Sequence, residues 1–276
     1  MGNAGAAEGA QAPRSMVSER AFLGVSALLF FAGTAGTIAW SASMSAMGAM
    51  PMPGGWTMSM AWMRMCGQTW PGVAASFLGM WVVMMAAMML PSLVPMLWRY
   101  RQAVGRTGGT RLGRQTTLVG VGYFFAWAAI GMATFALGAA LAALEMRLPA
   151  LARAAPVVAG VVVLSAGALQ FTAWKAHHLA RCREMPGHGR GLRGDTGTAW
   201  RNGLQLGLQL GLHCSCSCAG LMAVLLVIGV MDLRAMAAVT AAITVERLAP
   251  AGACAARAIG AVIIGAGLIL ILIALA

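Results

Sequence analysis

The stretch GLQLGLQLGLHCSCSCAGLMAVLLVIGV, residues 203–230, decides the fold of this chain. It contains no acidic or basic side chain apart from one histidine, and it exceeds the roughly 20 residues that a helix needs to cross a bilayer. Small residues recur in it at every fourth position, at Gly203, Gly207, Gly211, Ser215 and Ala219. Such a stripe lets helix backbones approach closely within a membrane. We therefore expect this helix to be central in a transmembrane bundle.

The composition of the whole chain agrees with a membrane protein. Of its 276 residues, 60% are hydrophobic and only 9% are charged, whereas about a quarter of the residues in a soluble domain are charged. These values exclude an ordinary soluble domain and a disordered chain. The formal net charge of +12 would suit nucleic-acid binding in a soluble protein. Here the basic residues separate apolar runs, so they indicate orientation in a membrane, and we expect no nucleic-acid partner.

Other apolar runs of similar length surround the central one. We predict an all-α fold, a polytopic transmembrane helix bundle of about seven helices. The sixth run is short and contains Glu246, so a bundle of six helices is the alternative. The seven runs cover residues 21–40, 73–98, 117–144, 155–174, 204–230, 235–248 and 259–276.

The distribution of Lys and Arg predicts the orientation. Of the 19 basic residues, 13 lie in the N-terminal arm and in two of the loops, and the positive-inside rule places these parts in the cytoplasm. Residues 1–19 are then a cytoplasmic arm and residues 20–276 a single transmembrane domain. A Met-rich outer loop covers residues 41–72, and basic cytoplasmic loops cover residues 99–116 and 175–202. The expected location is the bacterial inner membrane, with the lipid bilayer as the first partner.

Methionine is unusually frequent, with 22 residues, and eight of them fall in the outer loop. Thioether sulfur is a soft ligand that selects Cu(I) over hard cations. Methionine also fills gaps as a flexible hydrophobe, but this explains a loop facing water or headgroups poorly. On the next helix, Met80, Met84 and Met88 share one face at a spacing of four. The sequence leaves two roles possible for that face, which are metal binding and packing in the core.

The sharpest cluster of possible ligands is HCSCSC at residues 213–218. On a helix Cys214 and Cys218 share a face, whereas Cys216 points nearly opposite. Two thiolates with the neighbouring His213 could form a low-coordinate site for a soft metal. Zinc is the less favoured metal, because it takes four ligands and usually uses C-x-x-C spacing. The alternative is that these cysteines are buried for structural reasons.

A second group of possible ligands follows the fourth apolar run. His178 and Cys182 are four residues apart and would adjoin each other on a helix. They form either a second metal site or a solvated helix end. Glu246 either pairs with Arg247 or Arg257 or faces the interior of the bundle, where ionisable groups usually serve function. No nucleotide-binding or catalytic motif is present, so we predict no catalytic residue.

Three segments carry a resemblance to a known family. They are MWVVMMAAMMLPSLVP (80–95), LSAGALQFTAWKAHHLARCR (164–183), and GLHCSCSCAGLMAVLLVIGVMDLRAM with ITVERLAP (211–236 and 243–250). In these the chain resembles bacterial predicted metal-binding integral membrane proteins, a domain of unknown function, over most of its length after Met44. The resemblance implies a metal site with Cys214, Cys218 and Glu246 at family positions. The chain departs in having Cys216 for the family's Gly, Ser217 for its Cys, and His178 where Cys is frequent.

These patterns together favour a membrane protein that handles Cu(I), by delivery, transport or assembly of a copper enzyme. Its partners would be a membrane or extracytoplasmic copper protein or the subunits of a complex. The alternative is a metal-carrying or structural subunit of a membrane redox or monooxygenase complex. A third reading is a structural subunit whose sulfurs only pack.

Overall fold

The computed structural model describes residues 4–46, 48, 50–64, 67–105, 112–183 and 196–276. The described chain is an all-α bundle, as the sequence predicts, and it has eight helices and one two-stranded hairpin that was not predicted. Parts of the predicted arm and of both basic loops lie outside the described residues. The helices are α1 (Ala4–Ala46), α2 (Trp70–Gly105), α3 (Leu112–Arg147), α4 (Pro149–Leu169), α5 (Ala173–Arg183), α6 (Thr196–Ile228), α7 (Leu233–Leu248) and α8 (Gly252–Leu275).

Six of these helices are long and apolar enough to cross a membrane, which is the lower of the two expected numbers. The run expected to be a seventh span forms α7, whose 16 residues extend about 24 Å. The Ser41 hydroxyl of α1 donates to the Met231 carbonyl just before α7, at 2.9 Å. At the other end of α7, Arg247 donates to Ser92 in the second half of α2. The short helix therefore runs back across the bundle, parallel to α2.

The small-residue stripe of α6 lies against α3, and both helices run in the same direction. A methyl group added to Gly211 would come within 2.8 Å of Ala126 and 2.9 Å of the Tyr123 carbonyl. One added to Gly207 would overlap the Val119 carbonyl, and one added to Gly122 would overlap that of Leu204. Only glycine permits such approach, as expected for helices packed in a membrane.

A second close interface, which the sequence analysis missed, joins α4 to α8. Gly160 and Gly167 of α4 meet Gly260 and Gly267 of α8, and each lacks room for a Cβ atom. The glycines repeat at an interval of seven, so one face of each helix carries them. Two glycine-lined interfaces thus bring four helices of the bundle together.

The Met-rich segment expected to be an outer loop folds back on itself rather than forming an open loop. Met50–Pro51 pairs with Thr57–Met58 in an antiparallel hairpin, and a 3₁₀ turn follows at Met60–Trp62. Met52 and Met58 are buried in a small core with Ala142 of α3 and Ala152 of α4. The view that packing explains these outer methionines poorly is therefore wrong for this pair. Met47 and Met65 lie outside the described residues.

The expected cytoplasmic loop after α4 begins with a helix that packs into the bundle. A turn at residues 170–172 leads into α5, whose buried residues are Lys175, Leu179 and Cys182. Because α5 lies against α6 and α7, it brings basic and sulfur-containing side chains into the interior.

Candidate metal-binding site

Cys214 is the centre of a buried polar cluster formed by α2, α3, α6 and α7. Its sulfur lies 2.8 Å from the Tyr123 hydroxyl of α3. The Arg247 guanidinium of α7 donates to the same sulfur at 2.6 Å. Cys214 and Tyr123 are each only 1% exposed. Two polar groups from neighbouring helices thus point at one sulfur in the buried interior.

Arg247 links α2, α6 and α7 through its guanidinium. Besides Cys214, it donates to the Ser92 hydroxyl at 3.0 Å and the Ser217 hydroxyl at 3.4 Å. Within the described residues no carboxylate lies within ion-pair distance of it. A buried cation is costly unless it is paired. Among the side chains to which Arg247 donates, Cys214 is the one whose sulfur can carry a negative charge, so it is the candidate counter-ion.

Two further cysteines lie beside Cys214. The Cys218 thiol donates to the Cys214 carbonyl at 3.0 Å, one helical turn back. Cys182 of α5 is 1% exposed, and its sulfur lies 3.7 Å from the Ser217 hydroxyl. Burial raises the pKa of Cys182 to about 11 despite the opposing effect of Arg247, so it is a thiol at neutral pH. Cys216, by contrast, is partly exposed, in keeping with its expected position on the other face.

An ion pair next to the cysteines fixes α5. The Lys175 ammonium lies 2.7 Å from a Glu246 carboxylate oxygen, with side-chain exposures of 5% and 3%. The ammonium also donates to the Ser217 carbonyl of α6. Glu246 therefore faces the interior of the bundle, which was one of the two arrangements expected for it. Its ion-pair partner is Lys175 rather than Arg247 or Arg257. Removing either charge would leave the other buried alone.

Two imidazoles form a separate pair at the interface of α5 and α6. The Nδ1 atoms of His178 and His213 are 3.0 Å apart, so one ring donates to the other. Burial lowers the pKa of His178, and the nearby His213 and His177 lower it further. A neutral ring keeps a nitrogen lone pair, which is the form that binds metal.

The methionine face of α2 lies wholly in the core. Met80, Met84 and Met88 are at most 4% exposed, and Met85 and Met89 are fully buried beside them. Ser92 is the next residue at the same spacing of four, so the row ends at the side chain that receives a hydrogen bond from Arg247. The row therefore points from the first half of α2 toward Cys214.

The predicted ligands do not form a ready-made metal cage. Among the described residues, no three His, Cys, Asp or Glu side chains meet in a geometry suited to a metal ion. The candidate donors in this part of the bundle are buried thiols (Cys214, Cys218, Cys182), buried thioethers along α2 and a pair of imidazoles, and these are the ligand types that suit a soft metal such as Cu(I). Sequence reasoning missed Tyr123, Ser92 and Lys175, as well as the role of Arg247. The sequence did contain one signal for Arg247, which is its position in an otherwise apolar segment near the C-terminus.

Comparison with known proteins identifies the family. No curated protein and no solved structure gives a significant match. A family model described as PpoB2, copper chaperone, matches residues 78–270. This region covers about two thirds of the chain and contains every residue of the buried cluster described above. The chain therefore belongs to the PpoB2 copper chaperone family.

Proposed function

We propose that the protein carries Cu(I) as cargo and passes it to a membrane or extracytoplasmic copper protein. Cys214 and Cys218 are the proposed holding ligands, and the convergence of Cys214 with Arg247 in a buried cluster carries the proposal. A thiolate, rather than a thiol, binds metal, and a neighbouring guanidinium favours that form. Membership of a copper chaperone family supports copper as the cargo.

The charge of the cluster favours Cu(I) over Zn²⁺. A Cu(I) ion held by two thiolates has one net negative charge, which Arg247 balances at hydrogen-bond distance of Cys214. A Zn²⁺ ion with the same two thiolates would be neutral and would leave Arg247 without a counter-ion. Uncompensated charge in a buried site is expensive. The arrangement therefore suits a monovalent soft ion best.

The methionine row is the proposed route between the outer half of the bundle and the cysteines. Met80, Met84 and Met88 present a thioether about every 6 Å along α2. Thioethers are neutral and exchange a soft ion without releasing protons, so they can hand Cu(I) along a row. The row ends one turn from Ser92, which Arg247 connects to Cys214.

His178, His213 and Cys182 are the proposed second station. The two rings already meet at 3.0 Å, and Cys182 lies across Ser217 from Cys214. Cys182 would lose its proton on binding copper. Glu246 acts through Lys175 and keeps α5 in place rather than binding copper, which differs from the role that the family resemblance implied. Cys216 is on the other face and is not a ligand in this proposal.

The proposed location is the bacterial inner membrane, with the N-terminus in the cytoplasm. The uneven distribution of Lys and Arg supports this orientation. A reporter fused after Gly54 should then be external. A reporter fused at the C-terminus should also be external, because α7 brings the chain back to the cytoplasmic side before α8 crosses the membrane. A cytoplasmic reporter at Gly54 would reverse the orientation.

The double variant Cys214→Ser/Cys218→Ser tests the function. Purified in detergent without oxygen, it should lose the tightest Cu(I) ion, measured by competition with a chromophoric Cu(I) chelator. Cys254→Ser is the matched control, because Cys254 is exposed, and it should retain wild-type affinity. A folded double variant with wild-type affinity would refute the cysteine site. A single chelator-resistant ion in the wild type would favour a fixed metal in a redox complex instead.

A further inference from the structure

A cavity of about 210 Å³ lies at the end of the bundle opposite to Cys214. It is bordered by the last turns of α1, the 3₁₀ turn and the first half of α2. Its lining includes Trp40, Met44, Met63, Gln68 and Met80. Met80 is 12 residues, or about 18 Å along the helix, from Ser92 in the cysteine cluster. The cavity is therefore a separate site and not part of that cluster.

Three of the lining residues are methionines that come from three separate elements. Met44 is contributed by α1, Met63 by the segment after the 3₁₀ turn, and Met80 by α2. The structure thus divides the outer methionines into two groups. Met52 and Met58 fill the small core against α3 and α4, whereas Met44 and Met63 line an open space.

The rest of the cavity lining matches a soft cation. The described residues that line it include no Asp, Glu, His or Cys, so hard cations lack a carboxylate and zinc lacks its usual ligands. Thioethers bind Cu(I) as neutral ligands. The face of the Trp40 ring can add attraction for a cation held nearby.

We propose that Met44, Met63 and Met80 form a thioether docking site for Cu(I), at which copper enters or leaves the methionine row. Its use as a port rests on the proposed function, whereas its ligand chemistry does not. Binding forms bonds from Cu(I) to neutral sulfurs, so no proton is released and no electron is transferred. Met80 belongs both to the cavity and to the row, and it joins the two sites.

Four proteins separate this proposal from the proposed function: the wild type, the Cys214→Ser/Cys218→Ser variant, Met44→Leu/Met63→Leu/Met80→Leu, and the combination of both sets. Leucine conserves volume and removes the sulfur. Each partial variant should bind one Cu(I) ion fewer than the wild type and the combination two fewer, because all four proteins keep the second station. The ion that the cysteine variant keeps and the combination lacks should add only thioether sulfur to the X-ray absorption spectrum and should remain bound at pH 5, since thioethers do not titrate.

Met132→Leu/Met146→Leu is the control, because both side chains are exposed on α3, and it should bind as the wild type does. Met44→Leu/Met63→Leu keeps the buried Met80 and should still weaken Cu(I) binding at the cavity at least tenfold. This double variant keeps the proposal testable if the triple variant does not fold. A methionine variant that is folded and binds as many Cu(I) ions as the wild type, with unchanged affinity, would overturn the docking site alone. A folded cysteine variant that binds as many Cu(I) ions as the wild type would overturn the proposed function alone.

Discussion

Replacing Arg247 by glutamine removes the buried positive charge beside Cys214 while keeping a polar, although shorter, side chain. Arg247 is 6% exposed, and its guanidinium donates to the Cys214 sulfur at 2.6 Å. We expect the variant to bind Cu(I) more weakly, because a copper ion held by two thiolates would lose the cation that balances it. Glutamine can still donate one hydrogen bond, so the main loss is electrostatic.

The size of the loss follows from the geometry. Two unit charges about 4 Å apart interact by about 4 kcal/mol at an effective dielectric constant of about 20. Cys214 can take up a proton in the variant, which limits the cost of the missing partner. We therefore expect a loss of about 2–4 kcal/mol in Cu(I) binding, or about 30- to 1,000-fold in affinity.

Anaerobic competition with a Cu(I) chelator in detergent measures the affinity, and size-exclusion chromatography checks the fold. Arg257→Gln is the matched control, since Arg257 is exposed on α8, and it should change the affinity little. Arg247→Lys keeps the charge but loses the forked donors, so an intermediate affinity is expected. A folded Arg247→Gln protein with an affinity within about threefold of the wild type would refute the charge argument.

Two further predictions concern stability and are measured as thermal midpoints in detergent. Gly122→Ala should destabilise by about 1–3 kcal/mol, because its methyl group would overlap the Leu204 carbonyl. Gly120→Ala, two residues away with open space around it, should be neutral or slightly stabilising, and equal shifts would contradict the close packing of α3 and α6. Lys175→Met should cost about 3–5 kcal/mol by leaving Glu246 unpaired. Adding Glu246→Leu should recover most of that loss, and a further loss would argue against the ion pair.

The helices were predictable from sequence because each is a long apolar run, and a segment in lipid must satisfy its own backbone hydrogen bonds. The stripe on α6 was predictable for the same reason, since spacing of four fixes one face. The glycines of α4 and α8 were harder to recognise, because Gly160 and Gly167 repeat at seven and each helix carries only part of the pattern. Pairing between helices is a property of the folded bundle.

The shared face of the candidate ligands on one helix was predictable, but their neighbours were not. That Cys214 and Cys218 lie on one face follows from helical spacing alone. Lys175 and Arg247 lie near the predicted ends of membrane helices, where basic residues normally face the cytoplasm. The side chains that they contact lie far away in the sequence. A buried position for Lys175 becomes evident only when α5 packs against α6 and supplies Ser217 and Glu246 as acceptors.

The charges of the two proposed sites determine the order of their copper affinities. In the outer cavity three neutral thioethers would leave Cu(I) with its full positive charge. At Cys214 and Cys218, two thiolates together with Arg247 would make the loaded site neutral overall. Uncompensated charge is costly away from water, so Cu(I) should bind more tightly at the inner site and rest there. Its release then requires either competing soft ligands from a partner protein or a movement of α7 that withdraws Arg247 from Cys214.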